Sequence, residues 1–123
     1  MIKKINFTEN YFQNLVDTIS KINSKKIEQI IDLLKNLRKK NGRLFIVGVG
    51  GSAGNASHAV NDFRRLCNID AISPVDNFSE FTAATNDEGF EFAFIESLKI
   101  SKINKKDILL VMSVGGGDLK KNS

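Results

Sequence analysis

Two short apolar runs, each followed at once by a glycine cluster, constrain the fold of this chain more than any other feature. The first run, Leu44–Val47, continues into GVGGSAGNASH, and the second, Ile108–Met112, continues into SVGGGD. Wholly apolar runs of this length are typical of parallel strands that are covered on both faces. Because helical patterns precede and separate the two runs, the sequence predicts an α/β fold with a parallel sheet and helices on both faces.

The helical patterns place two helices before the first strand. Apolar residues recur at helical spacing from Thr8, the predicted N-cap, to Ile22, and again from Ile27 to a stop signal at Asn41-Gly42. The predicted organisation is one domain over residues 1–123, with a helical pair in 1–42 and the first part of the sheet in 43–123. Later elements are predicted at Ala53–Leu66 (helix), Ala71–Ser73 (weak strand), the Asn77 capping box (helix) and Gly89–Lys99 (helix).

Composition restricts the partners and the environment. The net charge of +4 comes from Lys and Arg residues that are spread over the chain, which favours a solvated surface over a nucleic-acid interface. The single cysteine, Cys67, forms no intrachain disulfide, and no apolar run reaches the roughly 20 residues of a membrane span, so we predict a cytoplasmic protein without membrane contact. The two leading helices have apolar faces that must be covered. Burial against a second subunit and packing within the chain are both open alternatives.

Glycine loops at the carboxyl ends of parallel strands are typical of anion-binding sites. Without a Cβ, backbone N–H groups approach a ligand closely, and the start of the following helix attracts negative charge. Ser52 and Ser113 add hydroxyl donors at the same edge. The two loops therefore indicate a phosphorylated small molecule. A dinucleotide is the weaker alternative, because Gly48–Ala53 fits G-x-G-x-x-A but no acidic residue ends the second strand.

Three ordered segments of the chain resemble the sugar isomerase (SIS) family, and within it the phosphoheptose (sedoheptulose 7-phosphate) isomerases. The segments are VGVGGSAGNASH with Asn61-Asp62, then ATNDEGF at residues 84–90, then the last strand with its serine and glycine loop. The resemblance implies a three-layer fold and an enzyme that interconverts sedoheptulose 7-phosphate and D-glycero-D-manno-heptose 7-phosphate for lipopolysaccharide or capsule synthesis. It also implies a homotetramer without a nucleotide cofactor, and one zinc ion (Zn²⁺) per subunit held by His58 and Asp62.

The resemblance also implies the roles of individual residues. Isomerisation moves a proton between two sugar carbons, which requires a positioned acid or base. Asp62 takes this role, and His58 is its partner or a zinc ligand; because four residues separate them, they share one helix face. The implied substrate contacts come from three loops and are Gly50, Gly51, Ser52, Asn86, Asp87, Ser113 and Ser123.

Several departures from the family pattern favour a second function, a non-catalytic module that binds sugar phosphate. Asp62 stands where the family usually has Glu, and Val49 stands where it has Asn. In the last loop, either Asp118 replaces a phosphate-binding Ser or the loop is lengthened to Ser123; we prefer the second, because a carboxylate repels phosphate. The family domain continues with a second catalytic histidine, so we expect a fold that is incomplete at its C-terminal end and a chain that is inactive alone.

Overall fold

The computed structural model describes residues 6–116, which form five α-helices and a three-stranded parallel sheet. The α-helices are α1 (Phe7–Ser20), α2 (Ser24–Lys39), α3 (Gly51–Cys67), α4 (Phe78–Glu88) and α5 (Phe90–Ile100). The strands are β1 (Arg43–Gly48), β2 (Asp70–Ile72) and β3 (Ile108–Met112), and a 3-10 turn, Pro74–Asp76, precedes α4. The predicted α/β class, with two helices ahead of a parallel sheet, is confirmed.

The chain divides into two compact units, one up to Leu33 and one from Leu34 onward, with the boundary inside α2. In the first unit, the Asn6 side chain caps α1 by accepting the Thr8 N–H at 3.2 Å, so the cap predicted at Thr8 is wrong. The predicted subdivision at residue 42 stays a prediction. No helix within residues 6–116 has the length and apolar character that crossing a membrane needs.

Strand β1 is the centre of the sheet, whose strand order is β2-β1-β3. Its residues from Leu44 to Gly48 are all buried, which explains why the strand is apolar at successive positions. Leu44 and Ile46 belong to a core cluster with Ala56 and Val60 of α3. The alternating residues of β1 point to the opposite face and are buried as well, so both faces of the strand are covered.

Strand β3 is an edge strand, and the prediction that it is buried on both faces is wrong. It pairs with β1 from Ile108 opposite Leu44 to Met112 opposite Gly48. Ile108, Leu110 and Met112 pack against the α3 side of the core, but Leu109 and Val111 are 45% and 62% exposed. The reason is topological, because no element within residues 6–116 covers this part of the strand.

A buried ion pair ties the start of β1 to the turn before β3. The Asp107 carboxylate is 2% exposed and accepts hydrogen bonds from the Arg43 backbone N–H at 2.9 Å, from Arg43 Nη2 at 2.8 Å and from the Asn104 N–H at 3.0 Å. The Arg43 guanidinium also donates to the carbonyls of Ser101 and Lys102. Burial raises the pKa of Asp107, but the hydrogen bonds and the charge of Arg43 outweigh it and hold the pKa below its ordinary value.

The ion pair generates a prediction about stability. Asp107→Asn is expected to lower the free energy of unfolding by about 3 kcal/mol, because it removes the charge that compensates Arg43 in a desolvated place. Urea unfolding followed by circular dichroism measures the change. The exposed Asp87→Asn is the matched control, expected to change stability by less than about 0.5 kcal/mol, and an equal effect of the two variants would contradict the prediction.

The loss of stability caused by Asp107→Asn is expected to depend on pH. A carboxyl whose pKa is lower in the folded chain than in the unfolded chain, where Asp titrates near about 3.9, adds stability above that value and loses it as the pH falls through the folded pKa. The difference in stability between wild type and Asp107→Asn is therefore expected to be complete at about pH 7 and to narrow below about pH 4. A difference that stays constant down to about pH 2.5 would show that the charge of Asp107 contributes nothing.

Candidate functional site

A cleft of about 720 Å³ opens at the carboxyl ends of β1 and β3. The two strands end opposite each other, at Gly48 and Met112, so the loops that follow them meet at this edge of the sheet. This is the edge at which α/β proteins bind ligands. Three polar side chains and a larger apolar set line the cleft: Ser52, Asn55 and Ser113, and Val47, Val49, Phe94, Val111, Met112 and Val114.

Glycine at position 48 lets α3 begin directly beside the end of β1. A Cβ on Gly48 would lie 2.6 Å from the backbone carbon and oxygen of Ser52, which is closer than van der Waals contact allows. Gly50 has a φ of 60° and is the N-cap of α3, so it supplies no capping side chain. Nothing lies within 4 Å of the Cβ position of Gly50 or Gly51, and Gly51 lines the cleft. The first turn of α3 therefore presents backbone to open space, as an anion site requires.

The loop after β3 is organised by the Ser113 side chain. Ser113 Oγ accepts a hydrogen bond from the Gly116 N–H at 3.1 Å. A hydroxyl that accepts in this way still has its own hydrogen to donate, so Ser113 can turn it toward an oxygen of a ligand in the cleft. Ser123, the other predicted contact of this loop, and Asp118 lie outside the described residues.

The two predicted acid–base residues lie together on α3. His58 Nε2 and Asp62 Oδ2 are 3.4 Å apart, and their side chains are 78% and 47% exposed. Gly51 and Asn55 line the cleft, and His58 and Asp62 follow Asn55 at intervals of three and then four residues. All four residues therefore lie on one face of α3. The pair is thus further along the same face of α3 than the lining of the cleft, and both groups are accessible to a ligand or to water.

His58 and Asp62 supply two of the three or four protein ligands that a zinc ion takes. Among residues 6–116, no group of three or more His, Cys, Asp and Glu side chains is placed to hold a metal ion. The described residues therefore do not form a zinc site by themselves. The expectation of zinc stays a prediction, and no chemical step below is assigned to a metal.

Asn86 and Asp87 lie in the last turn of α4 and do not line the cleft. Asn86 Nδ2 donates to Asp87 Oδ1 at 2.9 Å, and both residues are exposed. The structure therefore places them apart from the cleft lining that contains Ser52 and Ser113. Their role as substrate contacts stays a prediction.

Several residues of the cleft, among them Asn55 and Phe94, are not identified from the sequence as site residues. Asn55 follows Ser52 by three positions on α3, and this helical spacing was the available signal. Phe94 belongs to an aromatic cluster in which Phe81 meets Phe94 at 4.9 Å and Phe90 at 6.1 Å between ring centroids. Its helical spacing from Phe90 is equally typical of a core residue, so no sequence signal distinguishes its place in the cleft.

Comparisons with known proteins point to one family. The pattern of the SIS domain family matches residues 9–119. A phosphoheptose isomerase of Syntrophotalea carbinolica is 28% identical over 116 residues, which cover 88% of this chain and 59% of the relative. Phosphoheptose isomerase 1 of Campylobacter jejuni is 30% identical over 119 residues, which cover 91% of this chain and 63% of the relative.

A solved structure shares the fold. Phosphoheptose isomerase GmhA from Neisseria gonorrhoeae matches with a TM-score of 0.72 at 23% identity, over 88% of this chain and 61% of that chain. At this identity the likeness shows the fold alone. The chain thus spans about three fifths of the length of each of these three proteins.

The close contact at Gly48 generates a prediction. Gly48→Ala is expected to lower the free energy of unfolding by about 1–3 kcal/mol, because the added Cβ collides with the Ser52 backbone. Gly54→Ala is the matched control in the same region, since nothing lies within 4 Å of its Cβ position and alanine favours a helix over glycine by about 1 kcal/mol. Chemical denaturation of both variants measures the two effects, and a stabilising Gly48→Ala would contradict the close approach.

Proposed function

This chain belongs to the SIS domain family, and from that premise we propose that it acts as a sugar-phosphate isomerase. The observation that carries the proposal is the meeting of two glycine loops, with Ser52 and Ser113, in one cleft at the carboxyl edge of the sheet. The first candidate substrate is sedoheptulose 7-phosphate, converted to D-glycero-D-manno-heptose 7-phosphate for surface polysaccharides, because the relatives are named phosphoheptose isomerases. A single cysteine and the small-molecule substrate suit the cytoplasm.

The phosphate is bound by neutral donors in this proposal. The described residues that line the cleft include no Asp or Glu that would repel an anion, and no Lys or Arg that would pair with it. The donors that the described residues offer are the hydroxyls of Ser52 and Ser113 and the backbone N–H groups at the start of α3, where the helix dipole adds favourable potential. Hydrogen bonds to a charged acceptor are the stronger kind, so few donors are enough to hold the group.

The proton transfer is assigned to Asp62. Conversion of a ketose to an aldose removes one proton from C1 and returns one to C2, while a hydroxyl proton passes from O1 to O2 through an enediol intermediate. The Asp62 carboxylate accepts the carbon-bound proton and returns it to the neighbouring carbon. His58 Nε2 lies 3.4 Å from Asp62 Oδ2 and orients the carboxylate. The same imidazole donates a hydrogen bond to, or accepts one from, the sugar oxygen that gains or loses a proton.

A non-catalytic module that binds sugar phosphate is the second candidate. Asp62 is one methylene shorter than the usual carboxylate of the family, and the His58–Asp62 pair is open to solvent rather than enclosed. A misplacement of about an angstrom can cost about 100-fold in rate. The shorter side chain of Asp62 and the solvent exposure of the pair would affect catalysis alone. They leave the binding of a phosphorylated sugar unchanged.

The proposal predicts a separation of turnover from binding. In the full-length protein, Asp62→Asn is expected to lower isomerisation of sedoheptulose 7-phosphate at least about 100-fold, because the amide keeps the shape but accepts no proton. Affinity for the sugar phosphate is expected to stay within about tenfold. A turnover assay measures the rate of isomerisation, and calorimetric titration measures the affinity. The control is Asp17→Asn, at an exposed position, which is expected to change neither the rate nor the affinity.

Two outcomes decide between the candidates. Turnover by Asp62→Asn near the wild-type rate would show that the base lies elsewhere. A wild-type protein that binds sedoheptulose 7-phosphate but converts none of it would favour the non-catalytic module.

We further propose that the protein forms a homo-oligomer, with the tetramer of the resemblance as the expected form. Helix α1 has no buried residue. An apolar stripe at helical spacing is exposed along it and continues just past its end: Tyr11, Phe12, Leu15, Val16 and Ile19 on the helix, and Ile22 after it. A continuous stripe of this kind is a protein interaction surface, and a second copy fits it because each copy brings the same stripe to an isologous contact.

The stripe on α1 predicts the effect of charge on assembly. The double variant Leu15→Glu, Ile19→Glu is expected to dissociate the oligomer, because each carboxylate would be buried without a partner. Light scattering at about 10 µM protein measures the mass of the particle. The control is Asn14→Glu, which introduces the same charge at a polar position of α1 and is expected to leave the mass of the oligomer unchanged. A monomeric wild type at this concentration would end the proposal.

A further inference from the structure

We propose that α3 carries a second ligand site, apart from the cleft, for a phosphate monoester whose carbon skeleton bears hydroxyl groups. The site is a cavity of about 520 Å³ between α3 and the 3-10 turn at Pro74–Asp76. We call it the arginine pocket and define it by the residues that line it: Ser57, Val60, Asn61, Arg64, Arg65 and Asp76. Its existence and its ligand do not depend on the function proposed for the cleft.

The arginine pocket and the cleft lie on different faces of α3. Ser57, Asn61 and Arg64 follow one another at intervals of four and three residues, so they share one helix face. His58 and Asp62 each come one residue later than Ser57 and Asn61, which rotates them by about 100° around the helix axis. No described residue lines both cavities. A ligand in the arginine pocket therefore leaves the cleft open.

The positive charges of the pocket are not neutralised by the chain. Arg64 and Arg65 are exposed and lie in the last turn of α3. Within residues 6–116, neither guanidinium makes an ion pair or a side-chain hydrogen bond. The helix dipole favours a cation in this turn, but it does not explain why both cations line one cavity together with a hydroxyl and a carboxamide.

The two nearest carboxylates along this part of the chain are already engaged. Ser57 Oγ donates a hydrogen bond to Asp76 Oδ1, which holds Asp76 in the lining of the pocket. The Asp62 carboxylate lies 3.4 Å from His58 Nε2 and accepts a hydrogen bond from Asn61 Nδ2 at 3.4 Å. Neither carboxylate forms an ion pair with an arginine of the pocket, so both guanidiniums are available to a ligand.

The number of charges favours phosphate over carboxylate. A guanidinium binds either group through parallel N–H donors. A phosphate monoester carries a charge of about −1.5 to −2 at pH 7, which matches the two guanidiniums of Arg64 and Arg65. A carboxylate carries a single negative charge and would leave one guanidinium unmatched. The carboxamide of Asn61 adds a neutral donor to the same cavity.

Asp76 indicates what the phosphate is attached to. Its carboxylate accepts from Ser57 through Oδ1, and Oδ2 remains free to accept a second hydrogen bond. A bare anion is repelled by this charge, whereas a ligand hydroxyl donates to it in a charge-assisted hydrogen bond. Sugar phosphates and nucleotides bear a phosphate and hydroxyl groups on one skeleton. They therefore fit the arginine pocket better than inorganic phosphate does.

Calorimetric titration with three probes tests the site. The probes are inorganic phosphate, ribose 5-phosphate and AMP, and the background variant is Ser52→Ala, Ser113→Ala, which weakens any phosphate binding in the cleft. In this background, at least one of the two esters is expected to bind about fivefold more tightly than inorganic phosphate, because its hydroxyls reach Asp76. Tighter binding of AMP assigns the site to nucleotides, and tighter binding of ribose 5-phosphate assigns it to sugar phosphates.

Substitutions in the pocket locate the binding. Arg64→Gln, Arg65→Gln in the same background is expected to weaken ester binding at least about tenfold at low ionic strength, and the loss is expected to shrink at about 0.5 M salt. Glutamine has nearly the helix propensity of arginine, and circular dichroism checks that the variant is folded. The matched control is Lys39→Gln, Lys40→Gln, which removes the same charge outside both cavities and is expected to leave the affinity unchanged.

A substitution at Asp76 tests the class of ligand. Asp76→Asn is expected to reduce the fivefold preference for the ester toward one, because it removes the repulsion of a bare anion and weakens the bond to the hydroxyl. Inorganic phosphate that binds the unsubstituted pocket as tightly as both esters would overturn the assignment to a monoester.

The remaining outcomes separate this inference from the function proposed for the cleft. If Ser52→Ala, Ser113→Ala abolishes ester binding, or if the arginine variant binds as tightly as the lysine control, the arginine pocket is wrong and the proposed function stands. If binding persists without the serines and is lost with the arginines, the arginine pocket is confirmed even where the turnover assay of the cleft fails.

Discussion

The parallel pairing of β1 with β3 determines where everything else in the second unit lies. The register from Leu44 opposite Ile108 to Gly48 opposite Met112 makes both strands end at the same level. At the amino end, Arg43 and Asp107 hold this register with charge-assisted hydrogen bonds in a place shielded from water. At the carboxyl end, the same register brings the two glycine loops to one edge of the sheet, and a shift of one residue would displace one loop relative to the other by about 3.3 Å.

The sequence is sufficient to predict those features that depend on local pattern. β3 has its predicted limits, the Asn77 side chain caps α4 as the capping box requires, and four-residue spacing brings His58 to within 3.4 Å of Asp62. The exposure of β3 could not be predicted, because an apolar strand has the same sequence whether or not an element covers its second face. Likewise, the distance of Asn86 from the cleft depends on how α4 and α5 pack, which no local pattern specifies.

No Lys or Arg belongs to the described residues that line the cleft. Without Lys or Arg in the described lining, attraction acts through hydroxyls, backbone N–H groups and the α3 dipole. Such donors operate at short range and in fixed directions, so under the proposed function their contribution to affinity depends on the geometry of the Gly48–Ser52 turn. The close approach at Gly48 thus fixes the position of the first turn of α3 beside the end of β1.

Val111 connects the incomplete cover of the sheet with the chemistry of the cleft. It lies on the exposed side of β3 and also lines the cleft, so a ligand that covers it removes apolar surface of an edge strand from water. The same ligand would contact Ser113, which directly follows β3, and the start of α3 on the other side of the cleft. Binding would then add to the cohesion of the part of the sheet that the chain itself covers least, because any ligand that binds only the folded form stabilises it. Under the proposed function, affinity for the ligand and stability of the β3 edge are therefore coupled through Val111.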